Sequence, residues 1–98
     1  MKKNGPLPIG SVVQLEGGEI KLMILGYLKY GPHNKTDIYD YAGCVYPKGY
    51  RSLEETYVFN HKNIEKVYAI GFQDERQEEF EKVLMEQFER SKGSGVFD

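Results

Sequence analysis

The stretch 21–30 reads KLMILGYLKY and is the strongest strand signal in the chain. Apolar side chains fall on both faces of such a strand: Leu22, Ile24 and Leu28 on one, Met23, Leu25 and Tyr27 on the other. Two apolar faces are typical of a strand that is covered on both sides. Gly26 in its middle predicts a bulge, a sharp bend or the close approach of another backbone segment.

Four shorter stretches predict further strands around this one. They lie at 11–16 (SVVQLE), 36–46 (TDIYDYAGCVY), 55–59 (ETYVF) and 64–72 (IEKVYAIGF). The pair Gly17-Gly18 predicts a hairpin turn, and short connections elsewhere predict antiparallel pairing. We therefore expect a small, bent, antiparallel sheet of five strands, either open or rolled into a partly open SH3-like barrel.

After the fifth strand the apolar period changes from two residues to 3.6, which predicts one amphipathic helix at about 74–92. Its apolar stripe consists of Phe80, Val83, Leu84 and Phe88. Asp74 is placed to cap the first turn, and Gly93 is placed to end the last one. We expect Phe80, Leu84 and Phe88 to pack on the sheet and residues 93–98 to form a loose tail. The fold class is then α+β, in one domain over residues 1–98.

Composition narrows the range of functions. The chain has 98 residues, a formal net charge of -2 and one cysteine, which excludes an internal disulfide framework and a zinc site with several cysteines. No apolar run reaches the length of a membrane span, and the basic start lacks the apolar core of a signal peptide. We expect a soluble, cytoplasmic protein. The acidity belongs to residues 73–98, which carry four Lys/Arg and eight Asp/Glu.

Few residues offer candidate chemistry. His33 and His61 lie in predicted loops without metal-ligand spacing, so solvated histidines are expected and no metal or cofactor site. Cys44 with His61 as its base is a conceivable nucleophile, but an apolar strand favours a buried cysteine that packs as a small hydrophobe. Asp40 is either a general base or, more often for such a residue, a carboxylate that hydrogen-bonds to backbone or to a tyrosine hydroxyl or that points to solvent. We expect no catalytic residues and no enzyme activity.

Several motifs together resemble a known family. They are LPIGSVV at 7–13, KLMI.G at 21–26, YDY.GC at 39–44, YPKG at 46–49, Phe59-Asn60, Ile64 and the segment 68–71. In this combination the chain is similar to the small Firmicute proteins grouped as domain of unknown function DUF 4176, over about residues 7–90.

The resemblance implies an accessory protein without catalytic residues or cofactors. Members of that family are typically encoded beside type VII secretion loci and LXG-domain toxins. The implied role is a chaperone or targeting factor that binds the helical N-terminal region of such a toxin before export. The alternatives left open are an immunity protein that blocks the toxin's catalytic domain and a small nucleic-acid-binding barrel.

The partner surface is expected among the tyrosines. All eight lie between residues 27 and 68, beside the unusually apolar strand 21–30. Tyrosine is enriched at the centres of protein interfaces. Four of them stand near strand ends or turns and are the candidate contacts with a protein partner: Tyr27, Tyr30, Tyr46 and Tyr50. The acidic helix is expected to assist.

Overall fold

The computed structural model describes residues 5–31 and 35–97. Its elements in chain order are β1 (Val12–Leu15), β2 (Lys21–Tyr30), β3 (Ile38–Val45), β4 (Tyr57–Phe59), β5 (Ile64–Ala69) and α1 (Glu75–Lys92). Single 3-10 turns, Leu53–Glu55 and His61–Asn63, precede β4 and β5. The predicted α+β class and the predicted order of five strands followed by one helix are confirmed.

The five strands form one antiparallel sheet in the order β4-β3-β2-β1-β5. β4 and β5 are its two edges and do not pair with each other, so the sheet is open and the barrel alternative is wrong. The register of β2 on β3 shifts between Ile24 and Gly26, which is the bulge expected at this glycine.

One face of the sheet, here called the core face, carries the hydrophobic core. Its fully buried members include Val13, Leu22, Ile24, Tyr41, Phe59 and Ile64. α1 lies on this face, where Leu84 and Phe88 are buried. Asp74 caps the helix as expected, since its carboxylate accepts the backbone N–H of Gln77 at 3.0 Å.

Two expectations about the C-terminal region need correction. Phe80 does not pack fully on the sheet: 49 % of it is exposed, although its ring lies 6.3 Å from that of Tyr27. The tail expected to be loose contains Phe97, whose ring meets those of Phe88 and His61 edge-on, each at 4.8 Å. Phe97 thus packs between aromatic rings of distant elements, a contact that the local sequence pattern does not reveal.

The motif at residues 7–13 is explained by a tight turn against β2. The backbone N–H of Ser11 donates to the carbonyl of Pro8, and Gly10 has a φ of 90°, which glycine adopts without strain. The backbone then continues along β2, because Ile24 donates to the carbonyl of Ser11 at 2.9 Å. A Cβ on Gly71 would lie 2.0 Å from the carbonyl oxygen of Ile9, so only glycine allows this approach.

The opposite face of the sheet, here called the back face, is only partly covered. Cross-strand partners share a face, so the pair Val12–Met23 and the row Gly26–Ala42–Val58 both belong to it. Met23 and Leu25 are half-buried, whereas Leu22 and Ile24 on the core face are fully buried. β2 has two apolar faces, as predicted, but they are not equally covered. The bulge after Ile24 also changes their membership, because Tyr27 pairs with the buried Tyr41 and therefore lies on the core face, and not with Met23 and Leu25 as expected.

Candidate functional site

A buried polar cluster joins the first half of β3 to the 3-10 turn before β5 and to the last turn of α1. The carboxylate of Asp40 accepts the backbone N–H of His61 at 2.8 Å and the ammonium group of Lys92 at 2.6 Å. Lys92 also donates to the side-chain oxygen of Asn60 at 2.9 Å. Asp40 is 2 % exposed, and such a buried carboxylate requires partners of this kind.

A second chain of hydrogen bonds passes through the backbone of Leu7. The hydroxyl of Tyr27 donates to the carbonyl of Leu7 at 2.5 Å, and the N–H of Leu7 donates to the hydroxyl of Tyr41 at 3.0 Å. The hydroxyl of Tyr41 lies 2.8 Å from Nδ1 of His61. Two tyrosines thereby fix both backbone groups of one buried residue in the motif at 7–13.

Burial perturbs both tyrosines in the same direction. Burial is the main cause that raises the pKa of Tyr41 far above its ordinary value, and the charge of Asp40 adds to it while the hydrogen bond from Leu7 opposes it. Burial and the charge of Glu81 raise the pKa of Tyr27 to about 12. Both phenols therefore remain protonated at neutral pH and act as hydrogen-bonding groups.

These contacts determine what the candidate catalytic residues do in the fold. Asp40 follows the expectation of a hydrogen-bonding carboxylate, because it holds a backbone N–H and an ammonium group. His61 is 5 % exposed, so the prediction of a solvated histidine is wrong for it; His33 lies outside the described residues. Cys44 is buried opposite Met23, as the apolar strand predicts.

The back face carries a groove of about 450 Å³ beside β4. Its lining residues are Lys29, Tyr30, Ala42, Leu53, Glu54, Thr56 and Val58. The groove is concave because its floor is formed by small residues. Ala42 pairs with Gly26, and a Cβ added to Gly26 would meet nothing within 4 Å. Leu28, with a φ of 53°, precedes Lys29 and Tyr30, and both of these neighbours line the same groove. The groove offers a mainly apolar concave surface at an edge of the sheet.

The four candidate tyrosines are not gathered into one patch. Tyr30 is 55 % exposed and lines the groove at one end of the β2–β3 pair, opposite Ile38. Tyr46 lies at the other end, where its N–H donates to the carbonyl of Lys21. Tyr50 is exposed in the connection between β3 and β4, and Tyr27 is partly buried in internal contacts. Their role in partner binding stays a prediction, and Tyr30 is the one that the groove supports.

Three residues shape these sites in ways that sequence reasoning did not predict. Leu53 forms a wall of the groove and is 76 % exposed, but its segment reads as an ordinary polar connection. Lys92 reads as a last-turn helix charge, yet it pairs with a carboxylate 52 positions earlier. The signal available for His61 was its place beside Asn60 in a turn, which predicts geometry and does not predict burial.

Among residues 5–31 and 35–97, no three side chains of His, Cys, Asp or Glu converge as a metal site would require. In the same part of the chain, α1 lacks the continuous apolar length needed to cross a membrane.

Comparison with known proteins relates these features to a family. A family profile described as "Domain of unknown function (DUF4176)" matches residues 6–80. No curated protein and no solved structure gives a significant match. The matched range contains the turn at 7–13, the whole sheet and the first turns of α1. The family resemblance inferred from the motifs is thereby confirmed.

Proposed function

The chain belongs to the DUF4176 family, and on that basis we propose that it is a non-enzymatic, protein-binding accessory factor of the cytoplasm. Its partner in this proposal is an LXG-type toxin, and its role is to accompany or target that toxin to type VII secretion. The toxin's helical N-terminal region is the segment it binds. The loci in which members of this family are typically found motivate the identity of the partner.

The observation that carries the protein-binding part is the open groove on the back face. Tyr30 and Leu53 are 55 % and 76 % exposed and line this groove together with the buried Ala42. Large apolar side chains around a concave, mostly apolar floor are typical of sites that receive an anchor side chain of a partner. The adjacent edge strand β4 has only three residues, so the groove is accessible from its side.

The buried polar cluster supports the non-enzymatic part. A catalytic group must reach a substrate, but Asp40 and Tyr41 direct their polar atoms to partners inside the fold. The imidazole of His61 lies between the rings of Tyr41 and Phe97. In this proposal these residues have a structural role: they hold the first half of β3 and the last turn of α1 in place.

Co-expression with separate parts of an LXG toxin tests the proposal. The tagged chain should retain the N-terminal region of the toxin through affinity purification and size-exclusion chromatography, and it should not retain the catalytic domain. An immunity protein would show the opposite preference, so retention of the catalytic domain alone would overturn the proposal. Deletion of the gene should abolish export of the toxin while leaving its synthesis unchanged.

A further inference from the structure

The back face carries a second feature at the β1–β5 end, away from the groove. Gln14 of β1 pairs with Lys21 of β2 on one side and with Lys66 of β5 on the other, so these three side chains form a row on one face. Tyr68 joins the row, since its hydroxyl donates to the side-chain oxygen of Gln14. This set, Gln14, Lys21, Lys66 and Tyr68, is here called the lysine row.

Two positive charges converge on one ring in the lysine row. The ammonium nitrogen of Lys21 lies 4.5 Å from the centroid of the Tyr68 ring, and that of Lys66 lies 5.6 Å from the same centroid. Both lysines are exposed. Within residues 5–31 and 35–97, neither has a carboxylate partner, whereas Arg51 and Arg90 each have one.

We propose that the lysine row is a docking surface for an acidic segment of a protein partner. Both ammonium groups lie over the ring of Tyr68, and cation–π attraction leaves their charge available to a carboxylate. Half-buried Val12 and Met23, which pair with each other on the same face, supply apolar contact beside the charges. This inference rests on the proposed function for the class of partner and adds a chemistry for part of its contact.

Charge distribution favours a protein over a nucleic acid as the occupant. Two lysines would neutralise only about two phosphates of a nucleic acid, and so few phosphate contacts give little affinity at physiological salt. The chain has a formal net charge of -2, and α1 on the other face of the sheet is acidic, which opposes a long polyanion. A short acidic segment can pair its carboxylates with Lys21 and Lys66 without approaching that helix.

Fluorescence anisotropy with a labelled 12-residue peptide of glutamate and serine tests the inference. K21E and K66E should each weaken binding by about tenfold, because an exposed ion pair is lost and a repulsion of similar size replaces it. K62E is the matched control: it reverses an exposed lysine in the 3-10 turn before β5 and should leave binding unchanged. Raising the salt from about 50 to about 300 mM should weaken binding by the wild-type chain and by K62E alike.

Three results would overturn the inference. The first is no binding of the peptide at low salt. The second is an equal loss in K62E, which would indicate a general charge effect. The third is tighter binding of an oligothymidylate or of phosphatidylserine vesicles than of the peptide, which would assign the surface to another class of partner. Peptide binding without retention of the toxin would leave this inference standing and remove the proposed function.

Discussion

Replacing Tyr41 by phenylalanine removes one oxygen atom from the centre of the fold. That hydroxyl accepts the N–H of Leu7 at 3.0 Å and lies 2.8 Å from Nδ1 of His61, and Tyr41 has no measurable exposure. A buried donor left without a partner costs about 1–3 kcal/mol, and the second lost hydrogen bond adds about 1 kcal/mol. We expect Y41F to lower the free energy of unfolding by about 2–4 kcal/mol.

Urea titration followed by circular dichroism measures this change, with the slope compared between variants to confirm two-state unfolding. Y30F is the matched control, since it removes the hydroxyl of a tyrosine that is 55 % exposed, and its effect should stay within about 0.5 kcal/mol. A Y41F protein as stable as Y30F would refute the account of the cluster. It would mean that the hydrogen bonds around Leu7 contribute nothing to folding.

The same residue predicts a dependence on alkaline pH. Because burial raises the pKa of Tyr41 in the folded state, deprotonation above about pH 10 favours the unfolded chain. The contribution is fully present below pH 10 and decreases above it by up to about 1.4 kcal/mol per pH unit. The free energy of unfolding should therefore decrease less steeply above pH 10 in Y41F than in the wild type, as urea titrations at pH 9, 10 and 11 would show. Equal slopes would contradict the burial of this phenol.

Three further substitutions test other contacts by the same denaturation assay. K92M leaves the carboxylate of Asp40 buried without its cation and should lower the free energy of unfolding by about 3 kcal/mol. The double variant D40N/K92M should recover part of this loss. If it recovers none, the ion pair does not stabilise the fold. G71A brings a methyl group against the carbonyl of Ile9 and should cost about 2 kcal/mol or more, whereas G26A meets open space and should cost less than about 1 kcal/mol; equal costs would contradict the turn geometry. L84A should cost about 2–5 kcal/mol, and a loss below about 0.5 kcal/mol would mean that this side of α1 faces solvent.

Sequence pattern predicted the secondary structure well because that structure is local. The continuous apolar run in 21–30 and the apolar period of 3.6 after residue 73 each reflect one element, and the structure places β2 and α1 there. The bulge at Gly26 and the burial of Cys44 follow from the same local reasoning. Element boundaries moved by at most three residues, since strand ends depend on which neighbours pair.

The candidate site was less accessible to such reasoning because it depends on contacts between distant residues. The ion pair of Asp40 with Lys92 spans 52 positions, and no periodicity connects them. The exposure of Phe80 depends on the path of α1 over the sheet, which the apolar stripe alone does not fix. The closure of the sheet depends on whether its two edge strands meet, and that is also a long-range property.

We propose that the back-face groove is the site that binds the N-terminal region of an LXG toxin. Isothermal titration calorimetry of that region with the Y30A and L53A variants tests this proposal. F72A is the control, because Phe72 is 80 % exposed and does not line the groove. We predict that Y30A and L53A each weaken binding by about 2 kcal/mol, near thirtyfold in Kd, while F72A binds like the wild type. Unchanged affinity in both groove variants, with all proteins folded, would contradict the claim.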